Sequence, residues 1–308
     1  MLKFTVKRLL FMIPSIIVIT FLTFFIMSKS AGSPGSVALG IQASPEDIAA
    51  YNHAVGYDRP LLVRYGEYML GVVQGDLGTT YKTETPVATV LLPKFPITFK
   101  LAVISVILAA LIGIPVGVLA AVKKGTILDT GSTVVSLVLA SLPGFWFALL
   151  MMLLFSLKLG WLPSFGLGTW KNYIMPVATL ALPSSAYVSR MVRITMLEAL
   201  NSDYVRTARA KGAGPARIIF IHVLRNALMP VITTLGMNFA GLLGGAVIAE
   251  QVFGLPGVGQ QILNAINSKE VPIVLGATII LSLLYMVIML AMDLINALLN
   301  PKIRDNLG

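Results

Sequence analysis

Few residues of this 308-residue chain are equipped for chemistry. Cysteine is absent and histidine occurs twice, which excludes disulfides and thiolate metal sites and leaves too few ligands for a zinc centre. There is no G-x-x-x-x-G-K-[ST] loop to cradle nucleotide phosphates, no G-x-S-x-G elbow and no H-E-x-x-H helix. No catalytic, cofactor-binding or metal-ligating residue is therefore assigned. What remains is one run of charge, DYVRTARAKGAGPARIIFIHVLRNALMP at 203–230, in which Asp203, Arg206, Arg209, Lys211, Arg217 and Arg225 interrupt a chain that is only 12% charged. Its chemistry is recognition. If energy is used, another chain supplies it.

The spacing inside that run predicts its anatomy. Ser202 or Asp203 is suited to cap a helix over 204–211, where an acidic first turn also favours the positive end of the helix dipole. Gly212 and Gly214 then stop it, because glycine takes left-handed backbone angles cheaply, and Pro215 suits the first turn of a second helix. On the first helix Tyr204, Ala208 and Lys211 share a face while Arg206 and Arg209 project elsewhere. Small residues at Thr207, Ala208, Ala210 and Gly212 make it slim enough to enter a groove on a partner. The competing reading is an inner loop made basic by membrane orientation alone.

The elements that position this run are apolar. At 56% hydrophobic residues the chain lies far from soluble composition, in which roughly a quarter of residues are charged. An integral membrane protein follows, and the formal net charge of +10 belongs to residues flanking apolar runs, so it points to orientation and not to nucleic acid. Charge-free runs long enough to cross ~30 Å of hydrocarbon occur at 9–28, 101–122, 130–157, 172–189, 226–249 and 271–292. The expectation is an all-α membrane protein with six transmembrane helices. The first run is too long for the apolar core of a signal peptide and is expected to be retained, although 31–32 resembles a cleavage site. With the N-terminus inside, the inner segments hold 14 Lys/Arg and the longer outer segments 9, which places both termini in the cytoplasm. The charged run then lies inside, between spans four and five.

Three regions result: 1–28 with the first span, an outer segment 29–100, and a core 101–308 that carries the inner loop 190–225. In the outer segment AGSPGS reads as a linker, and Leu62, Tyr65, Met69, Val72 and Val73 form a helical stripe ended by Gly75 and Gly78. That stripe suits either a platform for an outer partner or a surface helix closing the bundle. Gly113 and Gly117, with Pro115 between them, suit close helix packing or a kink. Pro143, after Ser141, is expected to break the third span, and Ser141, Ser184, Ser185 and Asn238 are candidates to line a path through the membrane or to pair with neighbouring helices. Gly254, Pro256, Gly257 and Gly259 predict an outer turn, followed by a short helix striped by Val258, Ile262 and Ile266. No span has a charge near its centre, and Arg190, Glu250 and Asp293 are expected at helix ends, which argues against an ion-coupled carrier.

DYVRTARAKG at 203–212 with HVLRNALMP at 222–230 resembles the coupling loop of permease subunits in ATP-binding-cassette importers, closest to the B-type subunit of the dipeptide/oligopeptide class. QVFGLPGVGQ at 251–260, AVGYDRPLLVRY at 54–65, QGDLGTTY at 74–81 and the Lys/Arg-flanked start resemble that class too, so the resemblance spans nearly the whole chain. In the wider importer pattern only Gly212, Ala208 and Leu224 are kept; Arg206 and Thr207 stand where that pattern has Glu and Ala. The resemblance implies a multi-pass permease half of an importer in the bacterial inner membrane, for peptides or, as the alternative, for another solute carried by that class: a nickel chelate, a sugar or an antimicrobial peptide; a stand-alone channel or secondary carrier is the remaining reading. It implies a second, C-type permease subunit, two cytoplasmic ATPase subunits that use the ATP, and an extracellular or periplasmic peptide-binding protein as partners. Asp203, Tyr204, Arg206, Thr207, Ala208, Arg209, Lys211 and Gly212 would dock on an ATPase, and this chain would bind no cofactor.

Overall fold

The computed structural model describes residues 2–30, 32–40 and 42–299, without the side chains of 2–9, 30, 245 and 296–299. Of the expected cleavage-like pair at 31–32, residue 31 lies outside the described residues. In chain order the helices are α1 (Leu2–Ser30), α2 (Pro34–Leu39), α3 (Pro45–Ala54), α4 (Leu61–Val73), α5 (Val87–Leu91), α6 (Phe95–Val122), α7 (Ile127–Ser141) and α8 (Gly144–Met151), which runs on as a π-helical turn, Met152–Lys158. Then follow α9 (Lys171–Leu200), α10 (Asp203–Ala210), α11 (Pro215–Arg217) with a π-helical turn Ile218–Val223, α12 (Leu224–Gly245), α13 (Val247–Val252), α14 (Val258–Asn267) and α15 (Val271–Leu299). Among the described residues the only β pairing is an isolated bridge between Thr79 and Pro86. In lipid, helices satisfy every backbone group internally, which is why an apolar chain resolves into them.

Among the described residues four helical stretches are long and apolar enough to cross a membrane: Leu10–Lys29, Phe95–Val122, Pro215–Gly244 and Val271–Ile295. The pair α7 and α8 adds a fifth if counted as one broken span, bent by 102°. The break expected at Pro143 is there, since proline cannot continue a helix from the preceding turn. The expected fourth span lies inside α9, a 30-residue helix whose second half carries Arg190, Arg193 and Glu198. Helices overrun the charge-free runs throughout. Arg190 lies within α9, Glu250 is wholly buried within α13 and Asp293 lies within α15, so none of the three ends a helix as expected. Span five likewise begins near Pro215 and not at 226.

The chain divides into two compact units. One comprises 2–98 and 256–286. Here Phe24, Met27, Val87, Leu91, Val258, Ala265 and the first turns of α15 share a buried core. Helix α4 closes onto α1: the Tyr65 hydroxyl lies 2.8 Å from Thr20 Oγ1 and donates to the Ile17 carbonyl at 2.8 Å, and Tyr65 and Tyr68 pack on Phe24. The expected stripe is therefore shifted: Leu61, Tyr65 and Tyr68 face the core, while Leu62 and Val73 are exposed. The AGSPGS linker also holds structure, since Ser33 caps α2. Glu270, buried, accepts from the backbone N–H of Tyr81 at 2.7 Å and of Lys82 at 3.0 Å, fixing the 79–86 turn. In α14 the inward stripe is Val258, Ile262 and Ala265, and Ile266 is exposed.

The other unit comprises, among the described residues, 99–255 and 287–299. In it α6 packs closely against α9. A Cβ on Gly113 would lie 2.7 Å from the Ser185 carbonyl oxygen, and one on Gly117 would lie 2.5 Å from that of Ser189, so only glycine admits this approach. The pair spaced for close packing is used for that purpose.

Candidate functional site: a short charged helix and its support

Helix α10 spans Asp203–Ala210, one residue earlier at each end than the expected 204–211. Gly212 has φ 78°, the left-handed angle the break requires, and Pro215 opens the next helix. Ser202 occupies the capping position with extended angles, but its hydroxyl donates to the Ala199 carbonyl at 2.6 Å and caps nothing. Asp203 and Arg206 form a loose, exposed pair at 3.5 Å, of a kind that contributes little.

One side chain holds α10 down. Val205 is 0% exposed and joins a cluster with Ala121, Val188, Val192, Met196, Ile218, Val223, Ala227 and Val231. Burying a valine contributes about 1.5–3 kcal/mol. Around that anchor Asp203, Tyr204, Arg206, Thr207, Arg209, Lys211 and Gly212 are exposed and Ala208 is half-buried. The helix thus presents one aromatic ring, an acid and several cations on a rigid mount. A cleft of about 450 Å³ beside it is lined by Leu200, Asn201, Arg209, Pro215 and Ile219 among others.

The mount is tied to the loop between α6 and α7 by an ion pair that sequence reasoning missed. Arg193 Nε donates to Asp129 Oδ1 at 2.6 Å and its Nη2 to Oδ2 at 2.9 Å, while the Gly125 N–H donates to Oδ2 at 2.9 Å. Such two-pronged pairing fixes geometry as well as charge. Arg193 follows Val192, so the pair reaches the same turn of α9 that grips Val205. An acid in the first turn of an apolar helix was the available signal, but nothing local pointed to a partner 64 residues away.

The other expected residues are scattered. Ser141 is exposed and donates to the Val138 carbonyl at 2.9 Å; Ser184 is half-buried and bonds back to Leu180 at 2.8 Å; Ser185 is buried at the α6 crossing and bonds to Leu182 at 2.7 Å. The Nδ2 of Asn238 is buried and has no hydrogen-bond partner among the described residues. Gly254 has φ 62°, and a Cβ there would lie 3.2 Å from Phe165. Pro256 and Gly257 complete the turn, and Gly259 lies within α14, whose Val258 N–H donates to Thr98 Oγ1 at 2.9 Å.

The chain is similar to known proteins. Residues 113–305 match the family described as "binding-protein-dependent transport system inner membrane component", and 1–102 match its N-terminal family. The dipeptide transport system permease protein DppB of Alkalihalophilus pseudofirmus is 36% identical over 99% of this chain and 100% of its own length. The glutathione transport system permease protein GsiC of Salmonella choleraesuis is 34% identical, over 99% of each chain. The di/tripeptide permease DppB of Pseudomonas aeruginosa is 35% identical, over 99% of each. Among solved structures, an inward-facing MetNI methionine ABC transporter superposes with a TM-score of 0.56 at 22% identity, covering 68% of this chain and 96% of that one. An amino acid ABC transporter gives 0.53 at 18% identity over 70% and 94%. These structural likenesses bear on the fold. With the sequence matches spanning it from end to end, the chain belongs to the binding-protein-dependent transport system inner membrane components, as a multi-pass transport subunit and not an enzyme.

Proposed function

We propose that this chain is the permease half of an ATP-driven importer of short peptides in the bacterial inner membrane. In this reading it crosses six times with both termini cytoplasmic, α9 supplying the fourth span. A second, C-type permease subunit completes the path, two cytoplasmic ATPase subunits bind and hydrolyse the ATP, and an extracellular or periplasmic protein delivers peptide. The chain binds no cofactor of its own.

The observation that carries this reading is α10: a short helix held by one buried valine with Tyr204, Arg206, Thr207, Arg209 and Lys211 turned outward. Such a helix suits the cleft of an ATPase, and closure of the ATPases would move it together with α9. Ser184 and Asn238 are proposed to face the path, and the Gly254–Gly259 turn to face the delivering protein. Peptide as cargo rests on relatives named for dipeptides and di/tripeptides; those named for glutathione, itself a modified tripeptide, favour the same size class.

The test is purification of the tagged chain from its native membrane. Cytoplasmic ATPases are expected to accompany it, and Ala208→Trp or Gly212→Val is expected to lose both the ATPases and peptide uptake while remaining in the membrane. Uptake surviving in both variants would sink the docking assignment.

A further inference from the structure

A pocket of about 290 Å³ opens between α7 and α9, away from the exposed face of α10. Its polar lining is Ser132, Thr133, Ser136, Ser189, Arg190 and Arg193. Two of these are already engaged: Arg193 with the Asp129 carboxylate, and the Ser132 hydroxyl with the Asp129 carbonyl at 3.0 Å. The others are not. Ser136 and Ser189 are buried residues whose hydroxyls have no protein partner among the described residues. Arg190 is exposed, lies 5.9 Å from the Tyr187 ring, and faces no carboxylate within ion-pair distance among the described residues. The pocket therefore offers one cation that no acid neutralises and, besides the exposed Thr133, two buried idle hydroxyls, a donor set for an anion with several oxygens.

The surroundings choose among anions. Leu137 and Ile194 line the mouth and are 52% and 44% exposed, and Val134, Val135 and Val138 lie exposed along α7 beside it. The charge-free run 172–189 covers roughly 27 Å at 1.5 Å per residue, nearly the hydrocarbon thickness, and ends at Arg190. Arg190 thus lies at the boundary between headgroup and acyl chains. Lys123 and Lys124, in the loop tied to Asp129 through Gly125, add charge of the same sign. The geometry points to a binding site for the phosphodiester headgroup of an anionic phospholipid, with its acyl chains along the exposed apolar face of α7. The leaflet, the inner one, rests on the orientation proposed above. The site braces the helix that carries α10, because Ser189, Arg190 and Arg193 flank the Val192 that grips Val205.

The experiment uses the full-length chain in mild detergent, equilibrated with equal amounts of phosphatidylglycerol and phosphatidylcholine, and reads retained lipid by native mass spectrometry. The expected result is preferential retention of phosphatidylglycerol. Arg190→Gln should reduce that preference about fivefold, the effect of one cation near an anionic headgroup. Arg190→Lys should keep most of it, and Ser136→Ala with Ser189→Ala should reduce it at unchanged melting temperature. Equal retention of the two lipids by the parent, or an unchanged preference in Arg190→Gln, would overturn the site. So would displacement of phosphatidylglycerol by millimolar inorganic phosphate, or by a peptide with a free carboxylate. None of these outcomes depends on ATPase co-purification, so the transport reading stands or falls separately.

Discussion

Val205 makes the sharpest test, because it separates the mount of α10 from its exposed face. Val205→Ala removes two methyl groups from a side chain that is 0% exposed, and alters nothing that a partner would touch. At about 0.8 kcal/mol for each methylene-sized group the loss is about 1.6 kcal/mol, before any residual cavity is counted. Few other contacts hold α10, since the side chains around Val205 are mostly in solvent, so the loss falls on its docked state. The population released from the mount should rise about fifteenfold, at tenfold per 1.4 kcal/mol. Trypsin reads that population: Arg206 and Arg209 are cut when the helix opens, and at low protease the rate follows the open fraction. Cleavage in detergent should accelerate about fifteenfold in Val205→Ala and less than twofold in Tyr204→Ala, whose ring is 41% exposed. Equal rates for parent and Val205→Ala, or an equal acceleration in Tyr204→Ala, would refute the anchor.

Other outcomes follow from the same geometry. Gly117→Ala places a Cβ 2.5 Å from the Ser189 carbonyl oxygen and 2.6 Å from Val192 Cβ, an overpacking expected to cost about 1–3 kcal/mol; the variant should melt earlier and show faster cleavage at Arg206. Asp129→Asn and Arg193→Gln should each lower the melting temperature, and the double variant should lose less than the sum, a coupling read by a double-mutant cycle. Glu270→Gln removes the charge that accepts the Tyr81 and Lys82 N–H groups, so cleavage after Lys82 should quicken while cleavage at Arg206 stays constant.

Helix α10 could be read ahead of the structure because its punctuation is local: Gly212 takes a positive φ, and Pro215 suits the first turn of a helix. Pro143 announced the α7 break in the same way. Helix ends were not legible, because charge-free runs measure the hydrocarbon, whereas α6 and α9 at 28 and 30 residues extend well beyond it. The supports were least legible of all. Asp129 with Arg193, and Glu270 with the 79–86 turn, join residues 64 and nearly 190 positions apart, and neither member advertises its mate. The inner face of α4 was misjudged by one position because a stripe of apolar residues does not say which edge of it is covered.

The crossing at Gly113 and Gly117 has a consequence for biogenesis. Carbonyl oxygens of α9 lie where a Cβ on Gly113 or Gly117 of α6 would clash, a close approach made within one chain that requires neither a partner subunit nor a ligand. Because both sides of the seam belong to one chain, its closure also shapes the pocket of side chains that seats Val205. A chain with a faulty seam would hold α10 loosely and lie open to proteases.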